Sequence, residues 1–200
     1  MDTVVFDLGG VLIDWKPEYL YRKIFSTEEK VNWFLKEICT LEWNEEQDGG
    51  RSIKEGTELL INNFPEHESE IRAYYDRWEE MLGGAIIETV EILEKIHEKG
   101  NHRLFALTNW SAETWPVALE KFPFLSKFQD VLVSGREGLK KPDLRIYELL
   151  YHKFSIQPER AVFIDDNIRN INAAKLTGLN TIHFTNPSEL RKELILQGIL

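Results

Sequence analysis

Cysteine and long apolar runs are scarce in this 200-residue chain, and each scarcity excludes a class of protein. The single cysteine, Cys39, can form neither an internal disulfide nor a thiolate zinc site, so we expect a small buried apolar residue. No apolar stretch approaches the ~20 residues of a membrane span. The first residues also lack the basic region and apolar core of a secretory signal. We therefore expect a soluble, cytoplasmic protein with no membrane partner.

Positive charge is in deficit. Lys and Arg number 24 against 34 Asp and Glu, which gives a formal net charge of −10. Binding to a phosphate backbone requires basic patches, so this balance argues against a nucleic-acid partner. The five histidines are scattered without the spacing of a zinc site. The hydrophobic share of 42% is that of a globular protein, and the length allows one medium domain or a core with a smaller insert.

Five short apolar runs predict the strands of a parallel sheet. They cover residues 4–6, 104–107, 131–133, 161–164 and, more weakly, 181–184. Such fully apolar strands are typical of a sheet covered on both faces. Helical patterns lie between them at 86–98, 143–154 and 167–177. The alternation predicts a Rossmann-like α/β core of three layers.

Residues 15–84 interrupt this alternation. They contain helical patterns at 27–38, 52–63 and 66–82 and no convincing strand. We predict a helical cap over residues 15–84, inserted into an α/β core formed by residues 1–14 and 85–200. The segments 14–17 and 83–84 are the predicted hinges. The turn at 48–51 could present a cap loop to the core, where Arg51 would be either a substrate contact or a surface arginine. The cap tryptophans are expected to be core residues.

Polar residues follow the predicted strands at the ends that form the ligand crevice of an open parallel sheet. They are Asp7, Thr108, Asn109, Lys141, Asp165 and Asp166. An aspartate can attack phosphorus, and several carboxylates in one crevice favour a Mg²⁺ ion. A lysine and neutral donors such as Thr108 and Asn109 suit the phosphoryl oxygens. Taken singly, Asp7 could cap a loop, Lys141 could be a solvated charge, and Asp165 or Asp166 could cap a helix.

The order of these residues resembles that of the haloacid dehalogenase-like (HAD) hydrolase superfamily. FDLGGVLID at 6–14, LTN at 107–109, KKPD at 140–143 and FIDDN at 163–167 are similar to its four motifs. The resemblance covers essentially the whole chain, and the helical insert resembles the superfamily's first cap type. It implies Asp7 as nucleophile, Lys141 and Thr108 as its catalytic partners, and phosphate binding by Thr108, Asn109 and Lys141.

The same resemblance implies a magnesium site. Its ligands are Asp7, the backbone carbonyl of Gly9 and Asp166, with Asp165 nearby or bound through water. Asn170 stands where many members have a further aspartate. The expected activity is a Mg²⁺-dependent phosphomonoesterase that acts through an aspartyl-phosphate on a small phosphorylated metabolite.

Gly9 departs from the superfamily pattern. Most of its phosphatases carry an acid-base aspartate two residues after the nucleophile, and general acid-base help is typically worth ~10²–10⁴-fold in rate. Glycine at this position predicts slow turnover or a leaving group that needs little protonation, such as an anomeric sugar or an aryl alcohol. The opening sequence most resembles the branch of the bacterial α-glucose-1-phosphate phosphatases. We therefore expect a sugar phosphate as substrate.

Two other functions stay open on the sequence. A 2-haloacid dehalogenase uses an aspartate without a metal, but a free acid pair would repel an anionic haloacid, and that branch has a bulky aromatic residue where this chain has Gly9. A non-catalytic phosphoryl-binding module would also account for the missing acid-base residue. The oligomeric state is not indicated by the sequence.

Overall fold

The computed structural model describes residues 1–200, and its centre is a five-stranded parallel sheet. The chain forms seven strands: β1 (Thr3–Phe6), β2 (Ile13–Trp15), β3 (Leu82–Ala85), β4 (Arg103–Thr108), β5 (Asp130–Val133), β6 (Ala161–Asp165) and β7 (Asn180–His183). The large sheet has the order β5-β4-β1-β6-β7, which confirms all five predicted strands. β1 therefore lies at the centre, between β4 and β6.

Helices cover both faces of this sheet. The chain forms eleven: α1 (Glu18–Ile24), α2 (Glu28–Glu37), α3 (Leu41–Asp48), α4 (Ile53–Asn63), α5 (Glu68–Asp76), α6 (Ile87–Lys99), α7 (Trp115–Lys121), α8 (Ser134–Glu137), α9 (Leu144–Phe154), α10 (Ile168–Leu176) and α11 (Pro187–Leu196). Successive side chains of a strand point to opposite faces. Val4 accordingly packs in one apolar cluster with residues of α6 and α11, and Val5 packs in another with residues of α9 and α10. The predicted three-layer α/β fold is confirmed.

Five helices, α1–α5, lie between β2 and β3. An aromatic group joins three of them, since the Tyr21 ring centroid lies 4.8 Å from that of Phe34 and 6.2 Å from that of Tyr74. The helices predicted at 27–38 and 52–63 are confirmed as α2 and α4. The helix predicted at 66–82 is shorter than expected, because α5 ends at Asp76 and a 3₁₀ turn follows. None of the eleven helices combines the length and the apolar character needed to cross a bilayer.

The two passages between the helical segment and the sheet meet in a small antiparallel ribbon. β2 pairs with β3, with Asp14 opposite Gly84. The prediction that residues 15–84 contain no strand is therefore wrong. Its cause is the composition of β3, Leu-Gly-Gly-Ala, which carries no strand signal of its own. A glycine is needed at Gly83 because a Cβ there would lie 2.3 Å from Asp14 Oδ2.

Candidate active site

Asp7 follows the central strand at its carboxyl end. The side chain is buried, with 7% of the residue exposed. The backbone N–H of Leu8 donates to Asp7 Oδ1 at 2.7 Å, and Lys141 Nζ lies 2.9 Å from the same oxygen. These contacts fix the carboxylate, and Oδ2 accepts no hydrogen bond from the protein. Asp7 therefore presents one unengaged oxygen at the crevice of the sheet.

Lys141 joins three elements of the core. Its ammonium group donates to Asp165 Oδ2 at 2.7 Å and to the Leu107 carbonyl at 3.0 Å, in addition to its contact with Asp7. An ammonium group has three protons, so these three acceptors use all of them. Only 2% of Lys141 is exposed. Since burial of an unpaired charge is very costly, this lysine must be accompanied by its carboxylates.

Asn109 fixes the backbone that carries this lysine. Its Nδ2 donates to the Lys141 carbonyl at 2.9 Å, and its Oδ1 accepts from the Lys141 N–H at 2.8 Å. The Lys141–Pro142 peptide bond that follows is cis. The paired hydrogen bonds make Asn109 a positioning residue for Lys141, and one Nδ2 proton remains for another acceptor.

Asp165 and Asp166 have different environments although they are adjacent. Asp165 is fully buried, and its oxygens accept from Lys141, Asn170 and the Asn167 N–H. The Asp166 carboxylate is exposed and accepts no hydrogen bond from another residue. A Cβ on Gly10 would lie only 2.2 Å from Asp166 Oδ2, so a glycine at this position makes room for that carboxylate. Asp165 is thus already engaged by the protein, and Asp166 is the freer ligand.

Burial and charge oppose one another in this cluster. Burial raises the pKa of Asp7 well above its ordinary value, and the carboxylates of Asp165 and Asp166 add to that rise against the lowering effect of Lys141. Partial desolvation of the Asp166 carboxylate, together with the charge of Asp165, raises the pKa of Asp166 as well. For Lys141, burial lowers the pKa, but Asp165 and Asp7 outweigh it and raise the value above normal. The lysine therefore stays cationic.

The carboxylates fit a magnesium ion. One oxygen from each of Asp7, Asp165 and Asp166 lies within 4.8 Å of the others. Lys141 supplies the single positive charge against three carboxyl groups. A hard divalent cation with oxygen ligands would relieve the remaining repulsion. The free carboxylate of Asp166, beside a glycine that leaves space for it, is the residue best placed to be a ligand.

Thr108 ends β4, the strand beside β1, and is 1% exposed. Its hydroxyl has no hydrogen-bond partner in the protein and is available to a ligand. The space next to Gly9 is open, because a Cβ added to this glycine would meet no atom within 4 Å. The sheet thus brings Asp7, Lys141 and Asp165 into direct contact and places Thr108 on the strand next to Asp7.

A cavity of about 60 Å³, room for a few water molecules, begins at Gly9 and Asn109. Half of its lining comes from the sheet side and half from β2 and the segment between β2 and β3. The lining residues are Gly9, Asn109, Trp110, Ser111 and Thr114 from the first, and Trp15, Asn44, Asp48, Tyr75 and Trp78 from the second. We call this space the insert cavity.

Sequence reasoning missed most of these lining residues. Trp78 belongs to the large apolar cluster and Trp15 and Trp43 pack against it, as predicted for the tryptophans of this segment, whereas Trp33 is exposed. Trp15 and Trp78 also line the insert cavity, which the sequence did not indicate. The turn at 48–51 reaches the insert cavity through Asp48 and not through Arg51. Asp48 lines the cavity, while Arg51 binds within its own segment, to Gln47 Oε1 at 2.6 Å and the Trp43 carbonyl at 3.0 Å.

Relatives of known activity match most of the chain. A sesquiterpene phosphatase of Aspergillus oryzae is 25% identical over 92% of this chain and 90% of its own. A phosphorylated carbohydrates phosphatase of Thermotoga maritima is 28% identical over 92% of this chain and 84% of its own. The chain also matches a drimenol cyclase of Aspergillus calidoustus at 23% identity, but it spans only 35% of that protein's length.

The fold and the sequence lead to the same family. A HAD family enzyme of Bacteroides thetaiotaomicron, solved as a magnesium complex, superimposes with a TM-score of 0.73 at 18% identity, covering 92% of this chain and 93% of that one. The family of haloacid dehalogenase-like hydrolases matches residues 1–178, which include all four sequence motifs. This chain is a member of the haloacid dehalogenase-like hydrolases.

Proposed function

We propose that this hydrolase is a Mg²⁺-dependent phosphomonoesterase that forms an aspartyl-phosphate on Asp7, with a small sugar phosphate as substrate. The contact that carries the proposal is the 2.9 Å pair between Lys141 Nζ and Asp7 Oδ1. It holds a buried carboxylate with its second oxygen unengaged, as a nucleophile requires. The phosphatase activities of the two relatives of similar length support the reaction class.

Each core residue has a role in this reaction. The free oxygen of Asp7 attacks phosphorus, and the P–O bond to the leaving alcohol breaks. Thr108 donates its hydroxyl to a phosphoryl oxygen, and Asn109 offers its remaining Nδ2 proton to another. Lys141 keeps Asp7 and Asp165 oriented and offsets their negative charge. Asp166, Asp7 and the Gly9 carbonyl would hold Mg²⁺, which supplies charge neutralisation to the phosphoryl group when bound.

Helices α1–α5 act in this proposal as a cap that closes the insert cavity over the leaving group. The cavity is too small for a long prenyl chain, and a sugar would enter it only with helices α1–α5 displaced from the sheet side. Two of its tryptophans, Trp15 and Trp110, have buried indole Nε1 groups without a hydrogen-bond partner in the protein. Such donors, beside the amide of Asn44, suit the hydroxyl oxygens of a sugar.

The test is phosphate release by the purified protein from glucose 1-phosphate, glucose 6-phosphate, glycerol 3-phosphate and phenyl phosphate, with Mg²⁺ or with chelator. Turnover should require Mg²⁺, and Asp7→Asn should reduce it by at least ~10³-fold. Asp130→Asn is the matched control, because Asp130 Oδ1 also accepts from the next backbone N–H, at 2.8 Å, but lies at the start of β5. It should retain activity.

Metal-independent turnover, or turnover that survives Asp7→Asn, would contradict the proposal. Chloride release from 2-chloropropionate in chelator would instead identify a dehalogenase. Binding of beryllium fluoride without hydrolysis of any ester would identify a phosphoryl-binding module.

A further inference from the structure

With Asp166 assigned to Mg²⁺ in the proposed mechanism, the core of the site leaves no group to protonate a leaving alcohol. Gly9 has no side chain, and the three protons of Lys141 are donated to Asp7, Asp165 and the Leu107 carbonyl. Asp165 is engaged on both oxygens. An alkoxide is a strong base, so its departure without a proton is slow. An acid for this step has to come from outside the sheet.

Asp48 is the carboxylic acid that lines the insert cavity. It is the last residue of α3 and lies on the opposite wall from the sheet residues. Gly9 lines the same cavity, and no atom stands within 4 Å of the position that a Cβ on Gly9 would take. The open space left by the glycine is therefore continuous with the space that Asp48 faces.

Hydrogen bonds from both sides fix the position of Asp48. Asn44 Nδ2, one helical turn earlier, donates to Asp48 Oδ2 at 2.9 Å. Ser134 Oγ, at the first residue of α8, donates to the Asp48 carbonyl at 2.5 Å. The second bond joins α3 directly to the sheet side of the cavity. The carboxyl group is thus held in place before any ligand arrives, as a group that transfers a proton needs to be.

The surroundings of Asp48 keep its proton available near neutral pH. Burial and the neighbouring Glu45 raise the pKa of Asp48 to about 7, and Lys140 works against that rise. From α5, Tyr74 and Tyr75 lie close enough for the charge of Asp48 to raise their pKa values. An acid whose pKa lies close to the working pH can both give and accept a proton in one catalytic cycle.

We propose that Asp48 is the general acid and general base of this hydrolase, supplied by the helical segment in place of a side chain at Gly9. The inference rests on the proposed phosphatase activity. In the first step Asp7 forms a bond to phosphorus, the bond from phosphorus to the leaving oxygen breaks, and the Asp48 proton passes to that oxygen. In the second step a water oxygen bonds to phosphorus, its proton passes to Asp48, and the Asp7–phosphorus bond breaks to release phosphate.

The experiment compares wild type with Asp48→Asn on a series of phosphate esters in Mg²⁺. With glycerol 3-phosphate, whose alcohol is strongly basic, the variant should form the aspartyl-phosphate ~10²-fold more slowly or worse. With p-nitrophenyl phosphate, whose leaving group needs no proton, the same step should change by no more than ~3-fold. Water attack should be slow for both esters, so the variant should release a burst of one equivalent of nitrophenol before slow turnover.

If the role of Asp48 were only structural, Asp48→Asn would slow the reaction of both esters by the same factor. Glu46→Gln is the control, because Glu46 belongs to the same helix and pairs with Lys140 at 3.1 Å but does not line the cavity. It should leave the two rates in their wild-type ratio. A thermal melt of Asp48→Asn checks that the variant folds.

An equal loss on both esters without a burst overturns the role of Asp48 and leaves the phosphatase proposal standing, provided that wild-type turnover depends on Asp7. Unchanged rates on both esters also overturn it. A wild type without Asp7-dependent turnover on any ester overturns both proposals. A wild-type pH profile whose alkaline limb, near about pH 7, disappears in Asp48→Asn would support the role.

Discussion

Lys141 supplies the one positive charge among the three carboxyl groups of the candidate site, so its removal should be costly to folding. Lys141→Met leaves Asp7 and Asp165 buried without their cation, and breaking a buried pair in this way typically costs ~3–5 kcal/mol. The free energy of unfolding, from urea titration without Mg²⁺, should fall by that amount. Addition of Mg²⁺ should restore part of it, because the metal replaces the missing positive charge.

The neighbouring Lys140 provides the control. It pairs with Glu45 and Glu46 at the surface, and 27% of its side chain is exposed. Such pairs contribute ~0–1 kcal/mol, so Lys140→Met should have a small effect that Mg²⁺ does not reverse. Equal losses from the two variants would show that Lys141 is not the counter-ion of the cluster.

Gly10 should control the affinity for magnesium. A Cβ at this position would overlap Asp166 Oδ2, at 2.2 Å, and the backbone φ of +72° is itself unfavourable for other residues. Gly10→Ala should displace the freest carboxylate of the cluster and weaken Mg²⁺ binding by ~10-fold or more. Isothermal titration calorimetry with MgCl₂ measures this directly.

Gly138→Ala separates steric overlap from backbone strain. Gly138 has a similar φ of +65°, but a Cβ there would meet no atom within 4 Å. The variant should lose ~1 kcal/mol of stability and keep its magnesium affinity. If Gly10→Ala also bound Mg²⁺ normally, Asp166 would not be a ligand.

Helix α3 carries Asp48, the carboxylate that lines the insert cavity. A hydrogen bond from Ser134 joins this helix to the sheet side of the cavity. Ser134 Oγ donates to the Asp48 carbonyl and accepts from the Trp110 N–H at 2.9 Å. Ser134→Ala leaves both groups without these partners, so the free energy of unfolding should fall by ~1–3 kcal/mol. KM for the best ester should rise, because α3 loses its direct bond to the site.

Ser126→Ala is the control for the loss of a serine hydrogen bond that does not involve α3. Ser126 Oγ also donates to a backbone carbonyl, that of Pro123 at 2.7 Å, but it is exposed. We expect a loss below ~0.5 kcal/mol and an unchanged KM. An unchanged KM in Ser134→Ala as well would separate α3 from substrate binding.

The elements also show why some parts of this molecule were predictable from sequence and others were not. β1 and β6 are completely buried and apolar apart from Thr3 and Asp165, so the strands and the polar residues at their carboxyl ends could be predicted. α3 has the sequence LEWNEEQD and buries Asn44 and Gln47. Both side chains bind the Tyr75 hydroxyl, at 3.0 and 3.1 Å. Such polar packing leaves no apolar periodicity to detect.

The insert cavity could not be predicted for a related reason. Trp78 and Trp110 are far apart in sequence, yet their ring centroids lie 5.3 Å apart across the junction between the helical segment and the sheet. Apolar periodicity reports which side of an element is buried, but not whether it faces a core or a cavity. The same limit applies to Asp48, whose place opposite Gly9 depends on how α3 packs against α8.

At the scale of the whole molecule, ionisation of Asp48 should lower the free energy of unfolding as the pH rises. Burial raises the pKa of Asp48 to about 7, above the ordinary aspartate value of 3.8 that applies in the unfolded chain. Between these values the folded protein binds more protons than the unfolded chain, so the free energy of unfolding falls with increasing pH. Asp48→Asn removes this dependence while keeping the side chain's size.

The variant should therefore match wild type in stability near about pH 4 and exceed it by ~1 kcal/mol near about pH 8, a value discounted for the partial exposure of Asp48. Urea titrations at the two pH values measure the difference. Glu46→Gln, which removes an exposed carboxylate of the same helix, should show no such gain. A variant that is more stable at alkaline pH yet slow on basic leaving groups would show that the fold gives up stability to hold a protonated carboxyl group in the insert cavity. A variant less stable than wild type at both pH values would mean that the carboxylate is favourable where it lies, and that its burial carries no cost.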